Sequence, residues 1–242
     1  MAQSVPQVDQ VLLDDLVAAN RILYHKNIVD GLGHVSLRHD KDPNLYVMGA
    51  EKAPGLMTHE DLAIYDLDSN AQTLKERRPY NERFIHGEIY KARPDVKSVI
   101  HCHTPSLVTF CVCQVPLRPL YHMSGFLGRG VARFEIREFT AGATDMLVSS
   151  PELGVSLAKS LGNKQIILMR GHGATIAGQS VKHSVYRAIY GALNATMQMD
   201  AMRMGEITFL SDDEAMKGMD INDRFVDRSW SLWKLEAAQK SL

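Results

Sequence analysis

Two apolar segments that each end in histidine constrain this chain more than any other feature of its sequence. The run VKSVIHCH at 96–103 is typical of a buried strand and ends in His101 and His103. Because strand side chains alternate, these two imidazoles point to the same side, about 7 Å apart at a rise of ~3.4 Å per residue. A second such segment, 164–178, carries His172 between two glycines, in a turn where its first strand ends. A fold that brings the two strand ends together can therefore place three imidazoles around one metal ion.

Three neutral imidazoles form a typical site for one divalent ion, such as Zn, Mn, Fe, Co or Ni. Three protein ligands also leave coordination positions open for a substrate. Each motif alone is weak, since histidines often fall two residues apart and a histidine between glycines can simply belong to a turn. Taken together at two strand ends, they predict one metal ion per subunit, held by His101, His103 and His172.

A glutamate in the helix expected at 80–92 is the candidate carboxylate. Glu82 lies early in this helix, and His86 follows one turn further on. Glu82 can be a fourth metal ligand, or the group that moves a proton at a metal-bound substrate. Its spacing is equally consistent with a glutamate that only stabilises the positive end of the helix dipole.

The composition is that of an ordinary globular protein and excludes several classes of function. The chain has 242 residues, of which 45% are hydrophobic and 23% charged, and its net charge of -1 favours neither nucleic acid nor a membrane surface as a partner. No apolar run approaches the ~20 residues that span a bilayer, and the N-terminus lacks the pattern of a signal peptide. The odd number of cysteines (Cys102, Cys111 and Cys113) predicts buried strand thiols in a reducing cytoplasm.

Periodicity and turn residues predict helices and strands within a single domain over 1–242. Helices are expected at 8–26, 80–92, 149–162, 180–204 and 228–238, and strands at 33–38, 45–48, 62–67, 96–103 and on both sides of the turn in 164–178. Segment 106–113 is apolar but of undetermined type, and residues at about 211–242 are expected to form a helical tail. Strands clustered in the middle with helices outside indicate an α/β fold with three layers, α/β/α.

Four motifs, in this order, resemble the class II aldolase/adducin family over roughly residues 10–210. They are G-H-V-S-x-R from Gly33, E-R-F-I-H-x-x-I-Y-x-A-R-P-D from Glu82, V-I-H-C-H from Val99 and M-R-G-H-G-A-T from Met169. The resemblance implies a single α/β/α domain around a central, mainly antiparallel sheet. It also implies that His101, His103 and His172 hold the metal and that Glu82 is the catalytic acid/base. Enzymes of this family are usually homotetramers, so the site is expected at a subunit boundary.

Two departures from the sugar-phosphate aldolases of this family bear on the substrate. Those enzymes typically carry asparagine, which contacts the substrate, where this chain has His34. They also carry a Ser/Thr-Gly phosphate cradle, for which the stretch MGAEKAPGLMTHEDL at 48–62 has no equivalent. The first two motifs are more similar to the branch that contains 3-hydroxy-2-methylpyridine-4,5-dicarboxylate decarboxylase and dihydroxyphthalate decarboxylases. The resemblance therefore implies a metal-dependent lyase that decarboxylates a hydroxylated aromatic or heteroaromatic acid.

Five further residues are candidates for contacts with a small-molecule substrate. Arg38 and Arg83 can each pair with a carboxylate, although a surface ion pair explains either arginine nearly as well. His34 and Ser36 lie in the first family motif. Tyr121 follows P-L-R-P-L, in a region that relatives often contribute to a neighbouring subunit's site.

Three alternative functions stay open on the sequence. They are an aldolase that cleaves a non-phosphorylated hydroxy-carbonyl substrate, a non-haem iron oxygenase on the same scaffold, and a non-catalytic adducin-like interaction module. Release of CO2 rather than an aldehyde or ketone separates the decarboxylase from the aldolase, and O2 consumption indicates the oxygenase. Adducin-type domains lack the metal-binding set that this chain retains.

The C-terminal segment suggests a subunit contact. Phe225, Trp230, Trp233 and Leu235 give it more apolar surface than a short terminal helix on a monomer exposes. These residues are expected to cover the metal site of a neighbouring chain, and the alternative is that they fold back on their own core.

Overall fold

The computed structural model describes residues 5–74 and 77–240, and its centre is one sheet of seven strands. The strands are β1 (His34–Arg38), β2 (Leu45–Gly49), β3 (Leu62–Asp66), β4 (Ser98–Cys102), β5 (Ala132–Phe134), β6 (Ile166–Met169) and β7 (Gly173–Gly178). They lie in the order β3-β2-β1-β4-β7-β6-β5, and every neighbouring pair is antiparallel except β5 with β6. The prediction of a mainly antiparallel sheet is therefore confirmed.

Helices cover both faces of this sheet and complete the three expected layers. They are α1 (Gln10–His25), α2 (Arg83–Ala92), α3 (Pro105–Val112), α4 (Pro151–Leu161), α5 (Val181–Met204) and α6 (Asp212–Gln239). One apolar cluster joins α1, α3, α5 and α6 to one face, and a second cluster joins α2 and α4 to the other. Within the described ranges, no helix combines the length and the apolar character needed to cross a membrane.

Strand β4 shows how the two faces are separated. The side chain of Ile100 belongs to the cluster under α1, α3, α5 and α6, whereas Val99 belongs to the cluster under α2 and α4. His101 shares the face of Val99, because side chains two residues apart on a strand lie on the same side. The strand register sets His101 beside His34 of β1 and Thr175 of β7. The middle of the sheet therefore carries a row of polar side chains on the face that α2 covers.

Three elements differ from the sequence prediction. Segment 106–113 belongs to a helix, α3, which begins at Pro105, a residue that suits the first position of a helix. The last helix begins at Asp212 rather than at 228, because Ser211 and Glu214 form a capping box in front of an acidic first turn. Strand β5 was missed, since three residues are too few to show a period. Residues 241 and 242 of the expected tail lie outside the described residues.

The cysteines were expected to be buried strand thiols, and this is true only of Cys102. Cys111 is buried but lies on α3, and Cys113 is exposed directly after that helix. The prediction of strand thiols was wrong for these two because the apolar run that contains them is helical.

The C-terminal helix packs on its own chain, which is the alternative that the sequence left open. Trp230 and Trp233 are buried, and the ring of Trp233 lies 6.4 Å from that of Tyr186. Lys234 pairs with Asp15 at 2.6 Å and so ties α6 to α1. These tryptophans therefore form core and are not available to cover a neighbouring chain.

We expect replacement of Trp230 by alanine to destabilise the protein strongly. Trp230 is only 4% exposed, and truncating a core tryptophan costs about 3–5 kcal/mol. Arg228→Ala is the control, because this residue of the same helix is exposed, and its truncation should cost no more than about 0.5 kcal/mol. Urea unfolding measures both variants. Equal effects would contradict the packing described for α6.

Candidate metal centre

The turn between β6 and β7 brings His172 against the end of β4. Gly171 adopts φ +64°, a backbone conformation that favours glycine. A Cβ atom at Gly173 would lie 2.3 Å from the carbonyl oxygen of Cys102, so only glycine lets the strands approach this closely. His103 follows β4 at the same edge, and this close approach therefore places His103 next to His172.

The three histidines converge through their Nε2 atoms. The Nε2 atom of His101 lies 3.0 Å from that of His103 and 3.2 Å from that of His172. The Nε2 atoms of His103 and His172 are also 3.2 Å apart. A carboxylate oxygen of Glu82, Oε2, lies 3.6 Å from the Nε2 atom of His101 and 3.4 Å from that of His172. All four ligand atoms lie within 4.8 Å of one another.

This arrangement fits a divalent metal ion. Bonds of about 2.0–2.1 Å, at angles between a right angle and the tetrahedral angle, place two nitrogen ligands about 2.9 to 3.4 Å apart. The observed nitrogen separations fall within that range. Three imidazoles and a carboxylate are also a donor set that Zn, Mn, Fe and Co accept.

Burial favours the neutral, metal-binding form of the histidines. It lowers the pKa of His101 and His103. It also lowers the pKa of the neighbouring His34, and that of His86 to about 3. For Glu82, burial acts to raise the pKa, but the nearby His101 and a hydrogen bond with His172 outweigh it, so the pKa lies below its usual range. Burial thus favours the neutral form of His101 and His103, and the contacts of Glu82 favour its ionised form.

Backbone contacts hold Glu82 at this site. Glu82 is the residue that precedes the first turn of α2, and its side chain makes no capping hydrogen bond. Its Oε1 atom instead accepts a hydrogen bond of 2.9 Å from the backbone N–H of Val148, which leaves Oε2 facing the histidines. Stabilisation of the helix dipole therefore does not account for the position of this carboxylate.

A cavity of about 600 Å³ opens onto the cluster. His103, His172, Glu82 and His34 form part of its wall. The other lining residues are Gly31, Leu32, Gly33, Glu51, Lys52, Ala53, Tyr80, Asn81 and Leu147. The structure thus brings two predicted metal ligands, the predicted acid/base and one predicted substrate-binding residue to a single cavity, with the third ligand, His101, buried directly behind them.

Lys52, Tyr80 and Asn81 are lining residues that the sequence did not single out. Lys52 lies in the stretch 48–62, which was considered only for its lack of a phosphate cradle, and its Nζ atom is 2.6 Å from Asp61. Tyr80 and Asn81 directly precede Glu82, and this proximity was the available signal. The hydroxyl of Tyr80 donates to the carbonyl oxygen of Lys52 and so joins the two parts of the wall.

The remaining candidates do not line this cavity. Arg38 donates its guanidinium hydrogens to four backbone carbonyl oxygens, those of Pro43, Tyr90, Arg93 and Val96. Arg83 donates to the carbonyl oxygens of Ser69 and Tyr80. Because both guanidinium groups are occupied within the fold, the structure does not support their pairing with a substrate carboxylate.

The last two candidates, Ser36 and Tyr121, do not line the cavity either. The hydroxyl of Ser36 contacts His86 and Tyr90 behind His34, so it has no place on the wall. Tyr121 lies away from this chain's own cavity, and its buried hydroxyl has no partner among the described residues.

We expect alanine in place of His101, His103 or His172 to remove bound metal, because two imidazoles alone form a weak site. Loss of a residue that only contacts a metal ligand lowers metal affinity by roughly 10- to 100-fold. Loss of a ligand itself should lower the affinity by at least as much. Metal content after dialysis, measured by mass spectrometry, tests this. His59→Ala is the control, since that half-exposed histidine pairs with Asp14 and lies outside the cavity. Full occupancy in one of the three variants would remove that residue from the ligand set.

Comparisons with known proteins confirm the resemblance to the class II aldolase/adducin family. The model of the class II aldolase and adducin N-terminal domain matches residues 14–199. The chain is 35% identical to decarboxylase tropJ of Talaromyces stipitatus, over 91% of each protein. It is 28% identical to 3,4-dihydroxyphthalate decarboxylase of Arthrobacter keyseri, over 93% of this chain and 92% of that protein. Its fold matches L-fuculose 1-phosphate aldolase of Glaciozyma antarctica PI12 with a TM-score of 0.78 and 21% identity, over 96% of this chain and 93% of the other. The chain belongs to the class II aldolase and adducin family.

Proposed function

We propose that the protein is a metal-dependent decarboxylase that removes a carboxyl group, as CO2, from a hydroxylated aromatic or heteroaromatic acid. The observation that carries this proposal is the cluster of Glu82 with His101, His103 and His172, of which all but the buried His101 line one cavity. Two relatives that align with more than nine tenths of the chain are named decarboxylases, and the name of one specifies a dihydroxylated aromatic dicarboxylate.

The residues of the site have separate roles in such a reaction. A divalent ion held by the three histidines would supply positive charge that stabilises the electron density left when the C–C bond breaks. The ionised Glu82 takes up the proton of a ring hydroxyl of the bound substrate and delivers it to the ring carbon that bears the carboxylate. The bond to the carboxylate then breaks, its electron pair restores the aromatic ring, and CO2 leaves, so that hydrogen replaces the carboxyl group. The hydrogen bond from Val148 to Oε1 leaves the Oε2 atom of Glu82 facing the histidines and free for this proton transfer.

The cavity wall suits an aromatic acid. Leu32, Ala53, Leu147 and the ring of Tyr80 offer apolar surface to a planar ring. Among the described residues that line the cavity, Lys52 is the only one with a cationic side chain. Because Asp61 pairs with Arg77, at 2.9 Å, as well as with the Nζ atom of Lys52, it does not neutralise Lys52 alone, and Lys52 is our candidate partner for a substrate carboxylate.

An aldolase acting on a non-phosphorylated substrate is the second candidate. It is favoured by the shared fold of L-fuculose 1-phosphate aldolase and by the fact that both reactions leave electron density beside an oxygen-bearing carbon. A screen of hydroxylated aromatic dicarboxylates, beginning with 3,4-dihydroxyphthalate, separates the two candidates. We expect CO2 release. Release of an aldehyde or ketone from hydroxy-carbonyl compounds, without CO2 from any aromatic acid, would replace the decarboxylase by the aldolase.

We also propose that the protein is a homotetramer whose site includes residues of a second chain. The support is the family membership, the exposed Phe225 and Leu235 on α6, and the unpartnered hydroxyl of Tyr121, which lies away from this chain's own cavity. Sedimentation velocity at micromolar concentration tests this, and an active monomer would contradict it.

Glu82→Gln should retain the fold and the metal while CO2 release falls by about 10²-fold or more, the usual effect of losing a general acid or base. The amide oxygen can still accept the hydrogen bond from Val148, which is why the fold should survive. Glu88→Gln is the matched control, because Glu88 is buried on the same helix but pairs with Lys91. A near-normal rate would make Glu82 structural, and loss of metal would make it a ligand.

A further inference from the structure

Four buried polar side chains run in single file from the core to the cavity. The hydroxyl of Tyr90 lies 2.7 Å from the Oγ atom of Ser36, which lies 2.6 Å from the Nδ1 atom of His86. The Nε2 atom of His86 lies 2.6 Å from the Nδ1 atom of His34. His34 is the only member of this chain of hydrogen bonds that lines the cavity in the described part of the protein. The proposed function uses none of the three residues behind it.

Tyr90, at the end farthest from the cavity, determines which group donates in each of these hydrogen bonds. Tyr90 is buried, and burial raises the pKa of its phenol, so the hydroxyl keeps its proton. Among the described residues, Ser36 is the side-chain partner of that hydroxyl, and its other partner, the backbone N–H of Val99, can only donate. If Ser36 donated to Tyr90, the phenol proton would be buried without an acceptor, which native proteins avoid. Tyr90 is therefore the donor and Ser36 the acceptor.

This direction propagates to the cavity. Since Ser36 accepts from Tyr90, its own proton goes to the Nδ1 atom of His86. A neutral imidazole carries one proton, so His86 is protonated at Nε2 and donates to the Nδ1 atom of His34. His34 is then protonated at its Nε2 atom, which has no hydrogen-bond partner among the described residues and is not enclosed by the protein. The ring edge that lines the cavity thus carries an N–H group.

We propose that Tyr90, Ser36 and His86 are positioning residues that hold His34 as a hydrogen-bond donor to an anionic oxygen of the bound substrate. The ring of His34 lies 5.1 Å from that of His101, so its N–H group reaches the space beside the metal ligands. A donor fixed in this way favours a carboxylate or phenolate oxygen over a neutral hydroxyl oxygen, because a hydrogen bond to a charged acceptor is stronger. The selection of an anionic oxygen rests on the proposed function, whereas the direction of the hydrogen bonds does not.

Nuclear magnetic resonance of the ring nitrogens tests the direction without any enzymatic assay. Zinc-loaded protein labelled with ¹⁵N-histidine gives long-range ¹H–¹⁵N correlations that distinguish the two tautomers, and His34→Gln assigns the signals of His34. We expect protonated Nε2 and unprotonated Nδ1 for both His34 and His86. A proton on the Nδ1 atom of His34 would overturn the proposal, even if the protein proves to be a decarboxylase.

Binding of benzene-1,2-dicarboxylate to the zinc-loaded protein, measured by calorimetry, tests the consequence. Ser36→Ala and Tyr90→Phe release the tautomer of His34 and should weaken binding by about threefold to tenfold, the range expected for one hydrogen bond. Tyr46→Phe is the control, since it removes a buried hydroxyl that contacts Ser69 and lies outside this chain of hydrogen bonds. Unchanged affinity in both test variants would overturn the role in binding. Absence of CO2 release alongside a confirmed tautomer would overturn only the proposed reaction.

Discussion

The close approach of Gly173 to the carbonyl oxygen of Cys102 is the constraint on which the rest of the site depends. With any other residue at position 173, the Cβ atom would collide with this backbone oxygen. Neither atom can move away without separating β4 from β7. This spacing brings the turn that carries His172 within reach of His101 and His103. Without it, the chain would have a histidine pair on one strand and a third histidine out of reach.

Helix α2 supplies the second half of the site from one of its faces. Glu82, His86 and Tyr90 are spaced four residues apart, so they lie in a row over β1 and β4. Each would be costly to bury alone. Glu82 is satisfied by Val148 and the histidines, and His86 and Tyr90 are satisfied through Ser36. The same row of contacts that stabilises the helix on the sheet therefore also orients the groups that face the cavity.

The sequence predicted those parts of the fold and site that depend on local pattern. Alternation along β4 predicted that His101 and His103 share a face, and the glycines around His172 indicated a tight turn. Side chains whose partners are distant in the chain could not be predicted in this way. Arg38 looked like a carboxylate ligand, but four carbonyl oxygens from 43–96 take up its guanidinium group. Lys52 was missed because its place on the cavity wall depends on how the segment after β2 folds back toward Tyr80.

We propose that one ion held by the three histidines supports CO2 release at Glu82. Titration of metal-free protein with Mn²⁺ or Zn²⁺ tests this directly when bound metal and the rate of CO2 release, from the acid that the protein turns over, are measured together. We expect the rate to rise with bound metal and to reach its maximum at one ion per chain. A full rate in protein that a chelator has stripped of metal would contradict this role of the ion.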